Sequence, residues 1–161
     1  MLPNFHWIIE GVLAGMAMPG SGMWEPMKDF EELKKRGIGV LVTLLERAIP
    51  FDIVMRGGLI PAHIPIDDFG PPTIRQVEEF CALVDRMKSE GKAVAVHCLA
   101  GLGRTGTMAA AYLIHDSGLE AGDAMKKIRV IEPGYIQSSE QEGFIHKWAE
   151  HVKKKQDKHR A

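Results

Sequence analysis

The stretch Ala93-Val94-Ala95-Val96-His97-Cys98-Leu99-Ala100-Gly101-Leu102-Gly103-Arg104-Thr105-Gly106 decides how the rest of the chain is read. Its opening residues are apolar on both faces, the pattern of a central strand covered on both sides. A short Gly-containing turn follows, and then a segment from Thr105 to Asp116 with helical length and patterning. A strand that ends in such a turn at a helix N-terminus aims several backbone N–H groups at one point, and the helix dipole adds partial positive charge there. That cup suits a tetrahedral dianion. Gly101 and Gly103 let the loop curl without filling the cup. Arg104 closes it with a planar fork able to grip two oxygens at once. Leu99, Ala100, Gly101, Leu102, Gly103 and Arg104 are therefore the expected phosphate-binding residues.

Outward from this loop, short apolar runs alternate with longer helical patterns. Trp7 to Leu13, Val40 to Leu45, Ala62 to Ile66 and Ala93 to His97 read as strands. Helices are expected over Glu25 to Lys35, Thr73 to Ser89, Thr105 to Asp116, Ala121 to Val130 and Ser139 to Lys153. The second is the clearest. Ile74, Val77, Phe80, Cys81, Val84 and Met87 form one apolar stripe, and Thr73 with Gln76 makes a capping box after Pro71-Pro72. Strands alternating with helices predict an α/β fold. The expected architecture is a central, mainly parallel sheet of four to five strands, with helices on both faces. No linker or repeat divides residues 1–161, so one domain is expected, with about 154–161 as a frayed basic tail.

Composition narrows the function classes. The chain has 161 residues, 45% hydrophobic and 25% charged, with 20 basic against 21 acidic side chains and a net charge of −1. That balance offers no global attraction for nucleic acid or an anionic membrane, so binding of an anion must be local. The first twenty residues carry no Lys or Arg and are interrupted by Glu10, unlike a secretory signal. No stretch nears the roughly 20 apolar residues that span a bilayer. Two cysteines are too few for a disulfide framework and suit a reducing compartment. The expectation is a cytoplasmic monomer with no membrane insertion and no nucleic-acid partner.

The two cysteines separate at once. Cys81 lies on the buried stripe of a helix, where free cysteine packs as a small hydrophobe. Cys98 sits at the base of the expected cup, where N–H groups and a helix terminus favour the thiolate. A thiolate beneath a bound phosphate is an in-line nucleophile and gives a phosphocysteine intermediate. Thr105 can donate its hydroxyl to the sulfur, steadying it as attacking and as leaving group. No second His or Cys stands at ligand spacing from His97, so no metal is expected there, and orienting the loop by hydrogen bonds is its expected task. The loop lacks the Gly-Lys-Thr of a nucleotide-binding turn. Trp7, Trp24 and Trp148 read as packing.

His97-Cys98-x-Ala100-Gly101-x-Gly103-Arg104-Thr105-Gly106 resembles the signature loop of the protein tyrosine and dual-specificity phosphatases. The likeness extends over most of the chain. Asn4-Phe5-His6-Trp7, Leu41-Val42-Thr43-Leu44 with Glu46-Arg47, Gly106-Thr107-Met108 and Ile136 to Glu142 are similar to the small VHZ-like dual-specificity phosphatases and compact microbial tyrosine phosphatases. The resemblance implies phosphomonoester hydrolysis through a phosphocysteine, with no metal or cofactor, on a phosphorylated protein or peptide. It also implies a general acid on a loop about thirty residues before the Cys. Asp68, just before Phe69, matches that position. Asp67 stands where relatives usually carry Pro, and remains the alternative. Gln141 matches a residue that positions the hydrolytic water, although Ser138 with Gln141 also reads as a capping box. Glu46 either approaches the loop from the side or makes a surface ion pair.

The same likeness frames the substrate. No segment resembles the Asn-Arg-Tyr loop of the deep phosphotyrosine pocket, so a cleft open to phosphoserine and phosphothreonine is expected alongside phosphotyrosine. Phosphoinositide phosphatases usually place Lys inside the loop, whereas Leu99 to Gly103 hold no cation. A phosphoinositide or other small phosphomonoester remains the alternative substrate. A non-catalytic phospho-binding module fits less well, because Cys98, Arg104 and an upstream Asp are all present.

Overall fold

Strand β5, Ala93–His97, is buried at every position and lies at the centre of a five-stranded sheet. The structure is a computed structural model that describes residues 2–20 and 25–160. The other strands are β1 (His6–Ile9), β2 (Leu13–Met16), β3 (Ile38–Thr43) and β4 (Ile60–His63), in the order β1-β2-β5-β3-β4. β2, β5, β3 and β4 run parallel, and β1 is antiparallel to β2. The helices are α1 (Met27–Lys35), α2 (Phe51–Arg56), α3 (Ile74–Ser89), α4 (Gly103–Ser117), α5 (Ala121–Ile131) and α6 (Ser139–Arg160).

Alternation along β5 builds two cores. Val94 and Val96 join Val40 and Val42 against Phe80 of α3, Met108 and Tyr112 of α4, Ile128 of α5 and Trp148 of α6. Ala93 and Ala95 face the other way with Leu41, against Phe30 and Leu33 of α1 and Val54 of α2. Successive strand side chains point to opposite faces, so an all-apolar strand needs a cover on each side. The expected mainly parallel α/β sheet with helices on both faces is what forms.

Several boundaries differ from the sequence reading. Trp7 to Leu13 is two strands rather than one, because the chain reverses at Glu10-Gly11-Val12, with Gly11 at φ +75° and Val12 N–H bonded to Ile9 O at 3.0 Å. Pairing places β4 at residues 60–63, earlier than expected, although Ile64 and Ile66 still donate to Thr43 O and Leu44 O at 3.0 Å. Helix α2 was not foreseen. It is six residues long and buries only Val54, so it leaves no stripe to read. Helix α6 continues through the basic tail to Arg160, with its last residues exposed. Lys155 Nζ meets Glu78 Oε2 at 2.6 Å and Lys153 meets Glu120 at 2.7 Å, ties to other helices that local sequence does not reveal.

Trp148 is buried and donates Nε1–H to Ala111 O at 2.9 Å, while half-buried Trp7 packs edge-on against Phe5. Trp24 lies outside the described residues. Among the described residues, no helix is long and apolar enough to cross a membrane, and no group of three or more His, Cys, Asp or Glu could hold a metal ion.

Candidate active site

The loop between β5 and α4 is organised by where its carbonyls go. His97 O accepts from Leu44 N–H at 2.9 Å, and Leu99 O from Met18 N–H at 3.0 Å. Leu102 O accepts from Gly106 N–H at 2.9 Å and Ile136 N–H at 3.2 Å. Cys98 O accepts from the His97 ring at 2.9 Å, and Gly103 O from the Thr107 hydroxyl at 2.7 Å. Ala100 O and Gly101 O both accept from the Asn4 amide, at 3.3 and 3.4 Å. Every carbonyl from 97 to 103 is thus engaged. Among the described residues, none of the N–H groups of Leu99 to Gly103 donates to the protein. Buried backbone groups need partners, so a loop with its acceptors satisfied and its donors free is set up for an external anion. Gly101 makes this possible: it sits at φ +74°, and a Cβ there would lie 2.5 Å from Ala17 N. No larger residue fits.

Cys98 lies at the base of the loop, 3% exposed, and its Sγ accepts from the Thr105 hydroxyl at 3.1 Å. Behind it, His97 is fully buried. A carbonyl can only accept, so Nδ1 carries the proton shared with Cys98 O; Nε2 then accepts from the Thr43 hydroxyl at 2.8 Å. Burial pushes the pKa of His97 down to about 4, and nearby Arg104 pushes the same way, against the Cys98 carbonyl. A neutral, tautomer-fixed ring therefore pins the start of the loop to β3, the orienting task expected of it.

Arg104 is 4% exposed, and its charge is matched from three directions. Nη1 donates to Glu46 Oε1 at 2.6 Å and to Ile66 O at 2.9 Å, while Nη2 lies 3.4 Å from Asp68 Oδ1. Glu46 thus belongs to the site. Its own backbone N–H and the Arg104 guanidinium hold its carboxyl below the usual carboxylate range. Asp68, 57% exposed, also accepts from Phe69 N–H at 3.0 Å. Asp67 uses its backbone carbonyl to close a turn onto Gly70 N–H at 2.8 Å, and its carboxylate reaches none of these groups. Of the two aspartates, the fold brings Asp68 to the arginine. The turn is held in place by the Ser138 hydroxyl on Phe69 O at 2.7 Å.

Gln141 is buried, and the capping box is real. Its N–H meets the Ser138 hydroxyl at 3.1 Å, and its Oε1 accepts from Gln137 N–H and Ser138 N–H at 2.8 and 3.2 Å. Its Nε2 faces Gly70 O at 3.4 Å. The carbonyl oxygen needed to orient a water is therefore spent on the helix start. Exposed Gln137 was missed by the sequence reading. Its Oε1 lies 3.0 Å from where a Cβ on Gly103 would stand, beside Gln141 Nε2 at 3.1 Å, so both glutamines abut the loop, but the Gln137 side chain has no hydrogen bond of its own among the described residues. The signal available in sequence was a second Gln one turn earlier. Ile136, at φ +66°, and Arg129, which donates to Tyr135 O and Ile136 O at 2.9 and 3.0 Å, set the course of this segment.

A buried cysteine, a donor-lined loop, a charge-matched arginine and a carboxylate beside it are parts a phosphatase requires. A family model described as "Polymorphic toxin system, DSP-PTPase phosphatase" matches residues 14–118. The chain belongs to this DSP-PTPase phosphatase family of hydrolases. It is 37% identical over 112 residues to human protein tyrosine phosphatase type IVA 3, covering 68% of this chain and 64% of that one. It is 29% identical over 152 residues to the tyrosine-protein phosphatase cdc-14 of Caenorhabditis elegans, covering 89% of this chain and 21% of the relative. The chain thus spans less than two thirds of these curated relatives. Tk-PTP, solved in its active form, has a TM-score of 0.81 at 29% identity, covering 93% of this chain and 99% of that one.

Proposed function

We propose that this chain is a cysteine-dependent protein phosphatase acting on phosphotyrosine and on phosphoserine and phosphothreonine. The observation that carries the reading is the loop's hydrogen bonding: every carbonyl from His97 to Gly103 is engaged, the N–H groups of Leu99 to Gly103 donate to none of the described residues, and Cys98 lies at the base with a hydroxyl on its sulfur. In the first step the Cys98 thiolate attacks phosphorus in line, and the bond from phosphorus to the leaving oxygen breaks. Asp68 gives that oxygen its proton, and Arg104 with the loop N–H groups holds the equatorial oxygens. In the second step a water attacks the phosphocysteine and returns its proton to Asp68. The S–P bond breaks, phosphate departs, and the Thr105 hydroxyl receives the restored thiolate. The free side chain of Gln137 is the better candidate for orienting that water. Gln141 abuts the loop beside it, but its oxygen is engaged at the helix start.

The phosphoinositide alternative has one point of contact. PTPMT1, solved in complex with PI(5)P, shares the fold at a TM-score of 0.83, but at 19% identity the likeness reaches the fold alone. Against it, Leu99 to Gly103 carry no cation, and the carboxylates of Glu46 and Asp68 stand beside Arg104. The deciding experiment compares kcat/KM on phosphotyrosine, phosphoserine and phosphothreonine peptides with that on phosphoinositides. Higher turnover of an inositide than of every peptide would overturn the protein-substrate reading. Cys98→Ser should abolish turnover of p-nitrophenyl phosphate while phosphate analogues still bind, and full activity in that variant would refute the nucleophile.

A further inference from the structure

We infer that Asn4, held by His6 and Glu132, is a positioning residue that sets the shape of the phosphate loop from outside. Five of the seven carbonyls from His97 to Gly103 are satisfied by backbone N–H groups or by side chains within the loop and α4. The remaining two, Ala100 O and Gly101 O, lie at the loop's outer turn, and one side chain nearly a hundred residues away holds both. If those carbonyls were released, rotation of either peptide plane would turn an oxygen toward the bound anion and an N–H away from it. The Asn4 amide therefore acts on the N–H groups that bind phosphate without touching phosphate itself.

The amide is locked in the useful orientation. Its Oδ1 faces His6 Nε2 at 3.0 Å, and because an amide oxygen only accepts, Nε2 carries a proton and donates it. That fixes Nδ2 toward the loop. The same Nε2 is 3.4 Å from Glu132 Oε2, and Glu132 Oε1 accepts from Gly134 N–H at 2.9 Å. Asn4 itself has φ +49°, a left-handed conformation that Asn tolerates better than most residues. Beside it, Pro3 O accepts from Ala17 N–H at 2.9 Å, next to the point where Gly101 meets the Met16–Ala17 backbone. On their outer sides the phosphate loop and the segment bearing Gln137 are thus joined through Asn4, His6 and Glu132.

The inference rests on the phosphatase reading, and its test separates the two. Asn4→Gly keeps a residue at ease at positive φ while deleting the amide. Losing two long hydrogen bonds, of 3.3 and 3.4 Å, should lower kcat/KM on p-nitrophenyl phosphate by about 3- to 10-fold. It should weaken inhibition by orthovanadate by a similar factor, with thermal unfolding little changed. His6→Leu should produce a smaller loss in the same two quantities. His6→Gln, whose amide can still donate to Asn4, should restore them. In the double variant, His6→Leu should add little to Asn4→Gly, because both act through one contact. Should Asn4→Gly fold too poorly to assay, the His6→Leu and His6→Gln pair decides the matter alone. Asn4→Gly within two-fold of the parent in both readouts would overturn the inference, as would equal losses in the two His6 variants. If the parent protein hydrolyses no phosphomonoester, the phosphatase reading fails; calorimetric binding of inorganic phosphate by the parent and Asn4→Gly proteins still tests the loop geometry.

Discussion

Cys81 and Cys98 are both free and both buried, 1% and 3% exposed, yet their surroundings prepare them for opposite fates. Cys81 faces inward from α3, and burial, aided by the carboxylates of Asp85 and Glu78, pushes its thiol well above the ordinary range. Cys98 sits beneath unspent N–H donors, with the Thr105 hydroxyl on its sulfur and Arg104 at the far end of the loop. The same element in the same degree of burial packs on an apolar stripe in one place and lies at the base of a loop with free N–H donors in the other. Exposure does not distinguish them; the groups around each sulfur do.

That contrast can be broken most sharply at the sulfur. Cys98→Ser should bring phosphatase turnover to the assay background, whereas Cys81→Ala should leave it within about two-fold and cost about 1 kcal/mol in unfolding free energy. Mild peroxide should inactivate the parent reversibly, with thiols restoring activity and mass spectrometry placing sulfenic acid on Cys98 rather than Cys81. Equal oxidation of both would erase the distinction.

Next in size is the acid. Asp68→Ala should lower kcat by roughly 10²- to 10⁴-fold on substrates with poor leaving groups, and by less where the leaving oxygen needs no proton. Asp67→Ala should do far less; the reverse ranking in steady-state kinetics would move the acid one residue upstream. Between the two glutamines, Gln137→Ala should slow breakdown of the phosphocysteine and let it accumulate, visible as a burst in rapid-quench kinetics. Gln141→Ala should instead lower thermal stability by about 1 kcal/mol through the lost cap, with a smaller kinetic effect. A burst in the Gln141 variant alone would reverse the assignment.

A further prediction concerns the base of the loop. His97 is neutral in the fold, with a pKa of about 4 against an ordinary 6.5. Between those values the unfolded chain binds the extra proton, so stability is full above pH 6.5 and falls as pH drops toward 4. His97→Asn should remove that portion of the slope in pH-dependent thermal melts. An unchanged slope would mean that other groups carry it.

Much of the site was legible because its parts are contiguous. Cys98 through Thr105 are set by one strand, one turn and one helix start, and their geometry follows from local rules of apolar runs and glycine. The fold class was legible for a similar reason, since β5 and the stripe on α3 declare which faces need cover. Asp68 came through resemblance and was ambiguous with Asp67, because adjacent turn residues carry no periodicity. Gln137 went unread because a capping box explains Gln141 equally well in one dimension. Only the folded chain shows whose oxygen is already taken.

For Cys98 itself, the sequence determined the proposed nucleophile, the glycine that lets the loop curl and the arginine that ends it, since all lie within one short stretch of chain. The tertiary structure decided what surrounds them. It brought Glu46 and Asp68 to Arg104, tied His97 to Thr43, and laid Asn4 across the outer turn of the loop. These contacts join residues separated by 36 to 97 positions, and their partners are chosen by the packing of the sheet and helices. Hydrogen bonds of that kind leave no pattern in the local sequence, because nothing near either partner requires the other.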